Sequence, residues 1–140
     1  MPKNILQKVV FRNTPPKALY DLYMNEKKHA AVTGAPAKIT DKTGSKFSAH
    51  DGCITGRFLQ LVKNKLIVQS WREIGWDKSI DDSTFIIYLE PKGKDTVLYA
   101  IHTGVPDKSF DGINKGWHAH YWKPWKKYLA GKPVTRPTGM

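Results

Sequence analysis

Cysteine and long apolar runs are scarce in this sequence, and each scarcity excludes a class of protein. With Cys53 as its single cysteine the chain forms no internal disulfide, which fits a reducing compartment. No run of about 18 apolar residues is present, so we expect no membrane-spanning helix. Residues 1–4 lead directly into a strand-like segment without the apolar core of a signal peptide. These features together predict a cytoplasmic protein.

Acidic residues and arginine are also scarce. The sequence holds 23 Lys plus Arg against 12 Asp plus Glu, which gives a formal net charge of +11. Sequence-specific nucleic-acid binders rely on arginine forks at base edges, whereas lysine gives an unspecific positive field. We therefore expect no specific nucleic-acid partner, and two interpretations of the charge stay open: a solvated basic surface, or a surface for an anionic partner. The arginines are Arg12, Arg57, Arg72 and Arg136.

Length and composition fit one globular domain. The 140 residues are 40% apolar and 25% charged, which is enough to bury a core. The chain shows no internal repeat and no linker. Residues 132–140 have no apolar period, so we expect a flexible C-terminal tail there. Residues 1–131 are assigned to a single domain.

The order of the predicted elements is strand, helix, five strands and a long terminal helix. The opening "NILQKVVFRN" alternates as a strand does, and "KALYDLYMN" has helical spacing. The runs "KFSAHDG", "CITGRFLQLV", "KLIVQSWREI", "STFIIYLEP" and "TVLYAIHTG" are rich in β-formers and separated by short turns. Short loops between consecutive strands favour an antiparallel meander. A curved sheet covered by one long helix would bury the apolar surfaces of both.

The terminal helix is unusually aromatic. One stripe holds Ile113, Trp117, Tyr121 and Tyr128, and a second holds Trp122, Trp125 and Leu129. Two stripes predict a wide buried face that is more typical of a core than of a cofactor site. Pro124 lacks an N–H and would clash with the carbonyl of His120, which predicts a kink.

The sequence holds no motif of nucleophilic or nucleotide chemistry. His118 and His120 lie about 200° apart around a helix axis, so their imidazoles do not form a metal-binding pair. Cys53 and His50 flank a turn at Asp51-Gly52, but no third group appears that would complete a catalytic arrangement. We predict no catalytic residue, no metal and no cofactor, and whether the chain is an enzyme stays open, with a binding protein favoured.

Several segments resemble one family. They are "DGCITGRF" before a strand, "IVQSWRE" with Trp71, "TVLYAIHTGVP" with His102 closing the last strand, and "GWHAHYWKPWKKYLAG" opening the terminal helix. Together they are similar to the C-terminal domain of the activator of heat-shock-protein-90 ATPase, within the START-like (SRPBCC) superfamily. The resemblance covers about residues 5 to 129.

The resemblance implies an α+β helix-grip fold of the START/Bet v-like kind, in which a curved antiparallel β-sheet wraps around a long C-terminal α-helix. It also implies a cavity between the helix and the sheet. Strand alternation combined with this fold places one set of side chains inward as candidate cavity residues. They are Ile67, Gln69, Trp71, Phe85, Ile87, Leu98, Ala100, His102, Trp117, His120 and Tyr121.

Three functions follow as expectations. The first is a non-enzymatic module that binds a hydrophobic small molecule in this cavity, with His102 as a polar anchor. The second is a chaperone-associated, stress-response or protein-interaction domain. The third is a polyketide-cyclase-like enzyme that uses His102 as an acid or base. An outer apolar row on the sheet also suggests a homodimer. This row consists of Ile86, Tyr88, Val97, Tyr99 and Ile101.

Overall fold

The structure, a computed structural model, describes residues 2–131. Its elements in chain order are β1 (Lys3–Phe11), α1 (Pro16–Met24), α2 (Glu26–Thr33), β2 (Lys46–Ala49), β3 (Ile54–Val62), β4 (Leu66–Glu73), β5 (Ser83–Lys92), β6 (Asp95–Val105), a 3-10 turn (Asp107–Ser109), α3 (Phe110–Trp117), a π-helical segment (His118–Trp122) and α4 (Lys123–Leu129). The predicted α+β class is therefore confirmed. The predicted tail, residues 132–140, lies outside the described part of the chain.

All six strands form one antiparallel sheet in the order β1-β6-β5-β4-β3-β2. Strands β2 to β6 are a meander, as predicted, because connections of four, three, nine and two residues join each strand to the neighbour with which it pairs antiparallel. The first strand closes the order by pairing with the last, with Val9 opposite Leu98 and Phe11 opposite Thr96.

The predicted alternation of the strands is confirmed by burial. Strand β5 alternates buried and half-buried residues over most of its length, and Phe85, Ile87 and Leu89 are its buried apolar residues. The register places His102 opposite Phe85, and Phe85 opposite Gln69. A side-chain row therefore runs straight across the inner face of the sheet. Helices α3 and α4 and the π-helical segment cover this face with a second layer of apolar side chains.

The terminal helix is not α-helical throughout, because a π-helical segment (His118–Trp122) lies between α3 and α4. The backbone N–H of Lys123 donates to the carbonyl of His118, five residues back. Pro124 follows immediately and has no N–H to donate. The irregularity that the sequence predicts at Pro124 thus takes the form of a wider helical turn just before it.

This wider turn explains why one predicted core residue is on the surface. Tyr128 is 44% exposed, although uninterrupted helical spacing places it on the stripe of Trp117 and Tyr121. A π-turn acts as a one-residue insertion and rotates everything after it by about 100°. Trp122 and Trp125 of the second predicted stripe are each 1% exposed and lie in the core as expected.

The outer face of the sheet is apolar but only partly as predicted. Ile86, Tyr88, Tyr99 and Ile101 are half-buried, whereas Val97 is only 4% exposed. Val97 lies opposite Val10 on one neighbouring strand and Glu90 on the other. The predicted homodimer through this face stays a prediction. No helix within residues 2–131 is long and apolar enough to cross a membrane.

Gly56 provides a test of the sheet. A Cβ at this position would overlap the carbonyl oxygen of Ser70 and lie 2.7 Å from Cε1 of Phe47. We expect Gly56→Ala to lower the free energy of unfolding by about 2–4 kcal/mol, because backbone cannot move aside cheaply. Chemical denaturation measures this effect.

The matched control is Gly112→Ala in α3, where a Cβ meets nothing within 4 Å. There we expect a gain of up to about 1 kcal/mol, since alanine is the better helix former. Equal stability of the two variants would contradict the close packing of β3 on β4.

Candidate functional site

A cleft of about 850 Å³ opens between the N-terminal half of the terminal helix and one end of the sheet. Its walls come from the residues after α2, the turn between β2 and β3, the end of β4, and α3 with the first π-helical residues. The lining residues are Gly34, Ala35, Pro36, His50, Asp51, Cys53, Ile54, Trp71, Glu73, Lys108, Ser109, Gly112, Ile113, Gly116, Trp117, His120 and Tyr121.

Aromatic rings form the apolar wall of the cleft. Trp117 stacks on Phe85 of the sheet with ring centroids 3.8 Å apart and planes 5° apart. Trp71 leans against Trp117 at 6.0 Å, and Tyr121 lies 4.8 Å from the same ring. The rings are tilted against one another, by 48° between Trp71 and Trp117 and by 43° between Trp117 and Tyr121. Because they hold one another, they form a rigid apolar wall against which an aromatic or polycyclic guest can pack.

Two glycines keep the helix side of the cleft open. Gly112 and Gly116 are one helical turn apart and therefore share a face of α3. A Cβ at Gly112 would meet nothing within 4 Å, and a Cβ at Gly116 would make only an ordinary contact with His120. Each glycine costs the helix up to about 1 kcal/mol relative to alanine, and packing does not require it. The result is open space beside the aromatic wall.

A chain of hydrogen bonds runs along the floor of the cleft. His29 Nδ1 lies 2.9 Å from the carbonyl of Tyr23, which can only accept, so this nitrogen carries the proton. His29 Nε2 must then accept from the Tyr121 hydroxyl at 3.0 Å. Since that hydroxyl proton is used, His50 Nε2 must donate to Tyr121 Oη at 3.0 Å. Each group in the chain has one defined hydrogen-bond role.

The acceptor role of His29 Nε2 requires a neutral imidazole, and burial keeps both His29 and His50 neutral. Desolvation lowers the pKa of His29 to about 4. It also lowers the pKa of His50 to about 4, with smaller contributions from the nearby His29 and His120 rings. Burial raises the pKa of the Tyr121 phenol, so its proton stays in place at neutral pH.

The turn that carries His50 is conformationally unusual. His50, Asp51 and Gly52 all have left-handed backbone conformations, with φ of 51°, 56° and 87°. Two consecutive non-glycine residues in this region are costly, because the Cβ crowds the backbone. The turn aims the His50 ring at Tyr121 instead of at Cys53, whose side chain is exposed. The Cys53 and His50 pair considered from sequence meets through the backbone, where the Cys53 N–H donates to the His50 carbonyl at 3.2 Å, while the His50 ring is bonded to Tyr121.

His102 lies beneath the cleft and does not line it. Ser83 Oγ donates to the carbonyl of Trp71 at 2.7 Å, so it accepts from His102 Nε2–H at 2.8 Å. His102 Nδ1 accepts from Trp117 Nε1–H at 3.1 Å. Burial lowers the pKa of His102 to about 3. Both ring nitrogens are thus occupied by neutral partners, and neither partner is an acid.

The structure divides the eleven predicted cavity residues into two groups. Trp71, Trp117, His120 and Tyr121 line the cleft. The others lie deeper in the packed core, where Gln69 accepts from the Tyr23 hydroxyl. Whether any of the eleven contacts a ligand stays a prediction. The deeper group consists of Ile67, Gln69, Phe85, Ile87, Leu98, Ala100 and His102, each 1% exposed or less.

The eleven cavity residues predicted from the sequence do not include three residues that shape the cleft: His50, Gly112 and Gly116. The spacing of the two glycines, four apart in a helical pattern, is a signal that could have indicated an open helix face. The pairing of His50 with Tyr121 spans 71 residues and left no local signal.

Charged groups stand at the rim. Asp51, Glu73 and Lys108 contribute to the lining of the cleft. Within residues 2–131 no three His, Cys, Asp or Glu side chains cluster in a way that could hold a metal ion. His118 is exposed while His120 lines the cleft, so the two do not act as a pair.

Comparison with known proteins identifies relatives of this chain. Residues 13–130 match the family model described as "Activator of Hsp90 ATPase homolog 1-like protein". The human activator of 90 kDa heat shock protein ATPase homolog 1 is 29% identical over 110 residues, which are 79% of this chain and 32% of the human protein. The Dictyostelium discoideum homolog is 27% identical over 135 residues, 84% of this chain and 35% of its own length. This chain thus spans about a third of these relatives.

Solved structures confirm the helix-grip fold. An Hsp90 activator from Plasmodium falciparum superposes with a TM-score of 0.79 at 24% identity, covering 95% of this chain and 98% of that one. CalU16 from Micromonospora echinospora gives 0.79 at 17% identity, covering 94% and 77%. The Aha1 dimer from Colwellia psychrerythraea gives 0.80 at 14% identity, covering 94% and 99%. At these identities the likeness concerns the fold.

The neutral histidines predict loss of stability in acid. A histidine whose pKa is lower in the folded state takes up protons on unfolding, so its contribution is present above about pH 6.5 and is lost as pH falls toward 4. We expect the difference in unfolding free energy between pH 7 and pH 5 to shrink by about 1–2 kcal/mol in His29→Gln. Urea titrations at both pH values measure it.

The control for this experiment is His118→Gln, a substitution at an exposed position. This variant should follow the wild-type difference between pH 7 and pH 5. If His29→Gln also followed it, the neutral state of His29 in the folded protein would be wrong.

Proposed function

The chain belongs to the Activator of Hsp90 ATPase homolog 1-like family, and from this premise and the geometry of the cleft we propose that it is a non-enzymatic binding module for a hydrophobic small molecule. The observation that carries the proposal is the open face of α3 beside a rigid aromatic wall. A cleft of about 850 Å³ is in the size range of small-molecule sites.

The energetics of α3 support this proposal. An eight-residue helix with glycine at both Gly112 and Gly116 is weaker than one with alanine at either place. Filling the space would bury apolar surface and stabilise the protein further. With glycine at both positions α3 is less stable than it could be, but space for a ligand remains beside it. Lower stability of this kind is common at functional sites.

The cleft also has the mixed character of a ligand site. Apolar contact comes from Trp71, Trp117 and Ile113, and a few polar groups converge from His50 and His120. Such a combination orients a guest by its polar end while its apolar body is removed from water. We propose a cytoplasmic location, in keeping with the single cysteine.

Filling the cleft should abolish ligand binding without damaging the fold. We expect Gly116→Leu to remove binding of the neutral fluorescent probe N-phenyl-1-naphthylamine, because the leucine side chain occupies the space next to His120. Fluorescence titration measures the affinity. Native mass spectrometry of freshly purified wild-type protein should also show retained ligand mass that Gly116→Leu lacks.

The matched control is Gly116→Ala, whose Cβ makes only an ordinary contact and adds no bulk. It should bind the probe as the wild type does. A Gly116→Leu protein that folds and still binds with unchanged affinity would place the ligand elsewhere and reject this site.

A second function is favoured by the relatives: a chaperone-associated protein-interaction domain that contacts an Hsp90-type chaperone. The observation behind it is the 29% identity over 110 residues to the human ATPase activator. The net charge of +11, carried mostly by lysine, is suited to an acidic protein surface.

This second function predicts an effect on the chaperone. We expect the chain to raise the ATPase rate of an Hsp90 and to lose that effect as salt rises, since exposed charges are screened. Gly116→Leu should retain it, because this hypothesis places the docking surface on the exposed lysines and not in the cleft. An unchanged ATPase rate and no measurable complex at low salt would reject the chaperone function and leave the ligand proposal standing.

A further inference from the structure

The hydrogen-bond chain along the floor of the cleft ends in an unpaired acceptor. His50 Nε2–H donates to Tyr121 Oη, so the other ring nitrogen of this neutral imidazole, Nδ1, carries a lone pair. Within the described residues His50 Nδ1 is buried and has no hydrogen-bond partner. The Tyr121 proton is committed to His29 and cannot serve a guest. An unpaired buried acceptor costs free energy that a donor from a ligand would recover.

A second unpaired nitrogen lies nearby. His120 Nδ1 is also buried without a partner in residues 2–131, and the His120 and His50 ring centroids are 5.8 Å apart. No hydrogen bond at Nδ1 fixes the tautomer of His120, so this nitrogen is free to carry the proton and donate. A hydroxyl group is the simplest partner for such a pair, because it donates one hydrogen bond and accepts another.

We propose that the cleft takes a neutral, aromatic or polycyclic molecule that carries a hydroxyl group, a proposal that rests on the ligand-binding function above. The O–H donates to His50 Nδ1, and the same oxygen accepts from His120 Nδ1–H. The ring system lies against Trp71 and Trp117. An ether cannot donate, and a carboxylate would turn a charged acceptor toward the lone pair of His50.

Three probes that share a naphthalene ring test this at pH 7: 2-naphthol, 2-methoxynaphthalene and 2-naphthoate. We expect 2-naphthol to bind about fivefold or more tightly than its methyl ether, the usual effect of one added hydrogen bond. The naphthoate should bind weakest, despite the positive charge of the protein. Isothermal titration calorimetry gives the three affinities.

Variants then assign the preference to His50. His50→Phe keeps an aromatic ring but removes both nitrogens, so the advantage of 2-naphthol over 2-methoxynaphthalene should disappear while the ether still binds. Tyr121→Phe removes the group that orients the His50 ring and should reduce the same advantage. His118→Gln, at an exposed position outside the cleft lining, is the control and should keep it.

A direct measurement remains decisive if His50→Phe fails to fold. The ¹⁵N shifts of the His50 ring in the wild type should show Nε2 protonated and Nδ1 free, with the Nδ1 signal moving on addition of 2-naphthol and not of its ether. A protonated Nδ1 in the free protein would overturn the assignment.

The possible outcomes distinguish a failure of the hydroxyl preference from a failure of the ligand-binding function. Equal binding of 2-naphthol and 2-methoxynaphthalene, or tightest binding of 2-naphthoate, overturns the hydroxyl preference and leaves the ligand-binding module in place. Failure of all three probes to bind, with folded protein, overturns the ligand-binding function as well.

Discussion

The contact of Trp117 with the sheet is the interaction on which the rest of the structure depends. Its indole stacks on Phe85 at 3.8 Å, and its N–H donates to His102. The stack acts perpendicular to the indole ring, and the hydrogen bond acts in its plane. Together they fix the distance of α3 from the sheet and its rotation about the helix axis. Every wall residue that α3 contributes to the cleft takes its position from this contact.

The same contact explains why His102 is structural at its position. Its two nitrogens join three elements, because Ser83 begins β5, His102 lies near the end of β6, and Trp117 ends α3. A neutral imidazole can do this with one donor and one acceptor, whereas a charged one has no acceptor to offer Trp117. Because both nitrogens of His102 are hydrogen-bonded within the protein, this residue aligns the helix with the sheet and has no free nitrogen to present to solvent.

The polar chain from Tyr23 through His29 and Tyr121 to His50 has the opposite character. It begins in the core with a satisfied carbonyl and ends at the cleft with an unpaired nitrogen. Fully satisfied buried networks stabilise a fold, while an open end is costly and is typical of a place where something else binds. A chain of this kind passes the tautomer set in the core outward to the cleft.

The sequence by itself determined the class, the meander of β2 to β6 and the division of each strand into two faces, because alternation and turn residues act over a few neighbouring positions. It also indicated an irregularity at Pro124, since a missing N–H is a local property. It could not place Tyr128 outside, because the phase of α4 depends on a π-turn that forms only under packing. It could not find the floor of the cleft either, since the bond of His50 to Tyr121 joins residues 71 apart. Tertiary structure decided both, because long-range contacts set the position of side chains that local pattern leaves free.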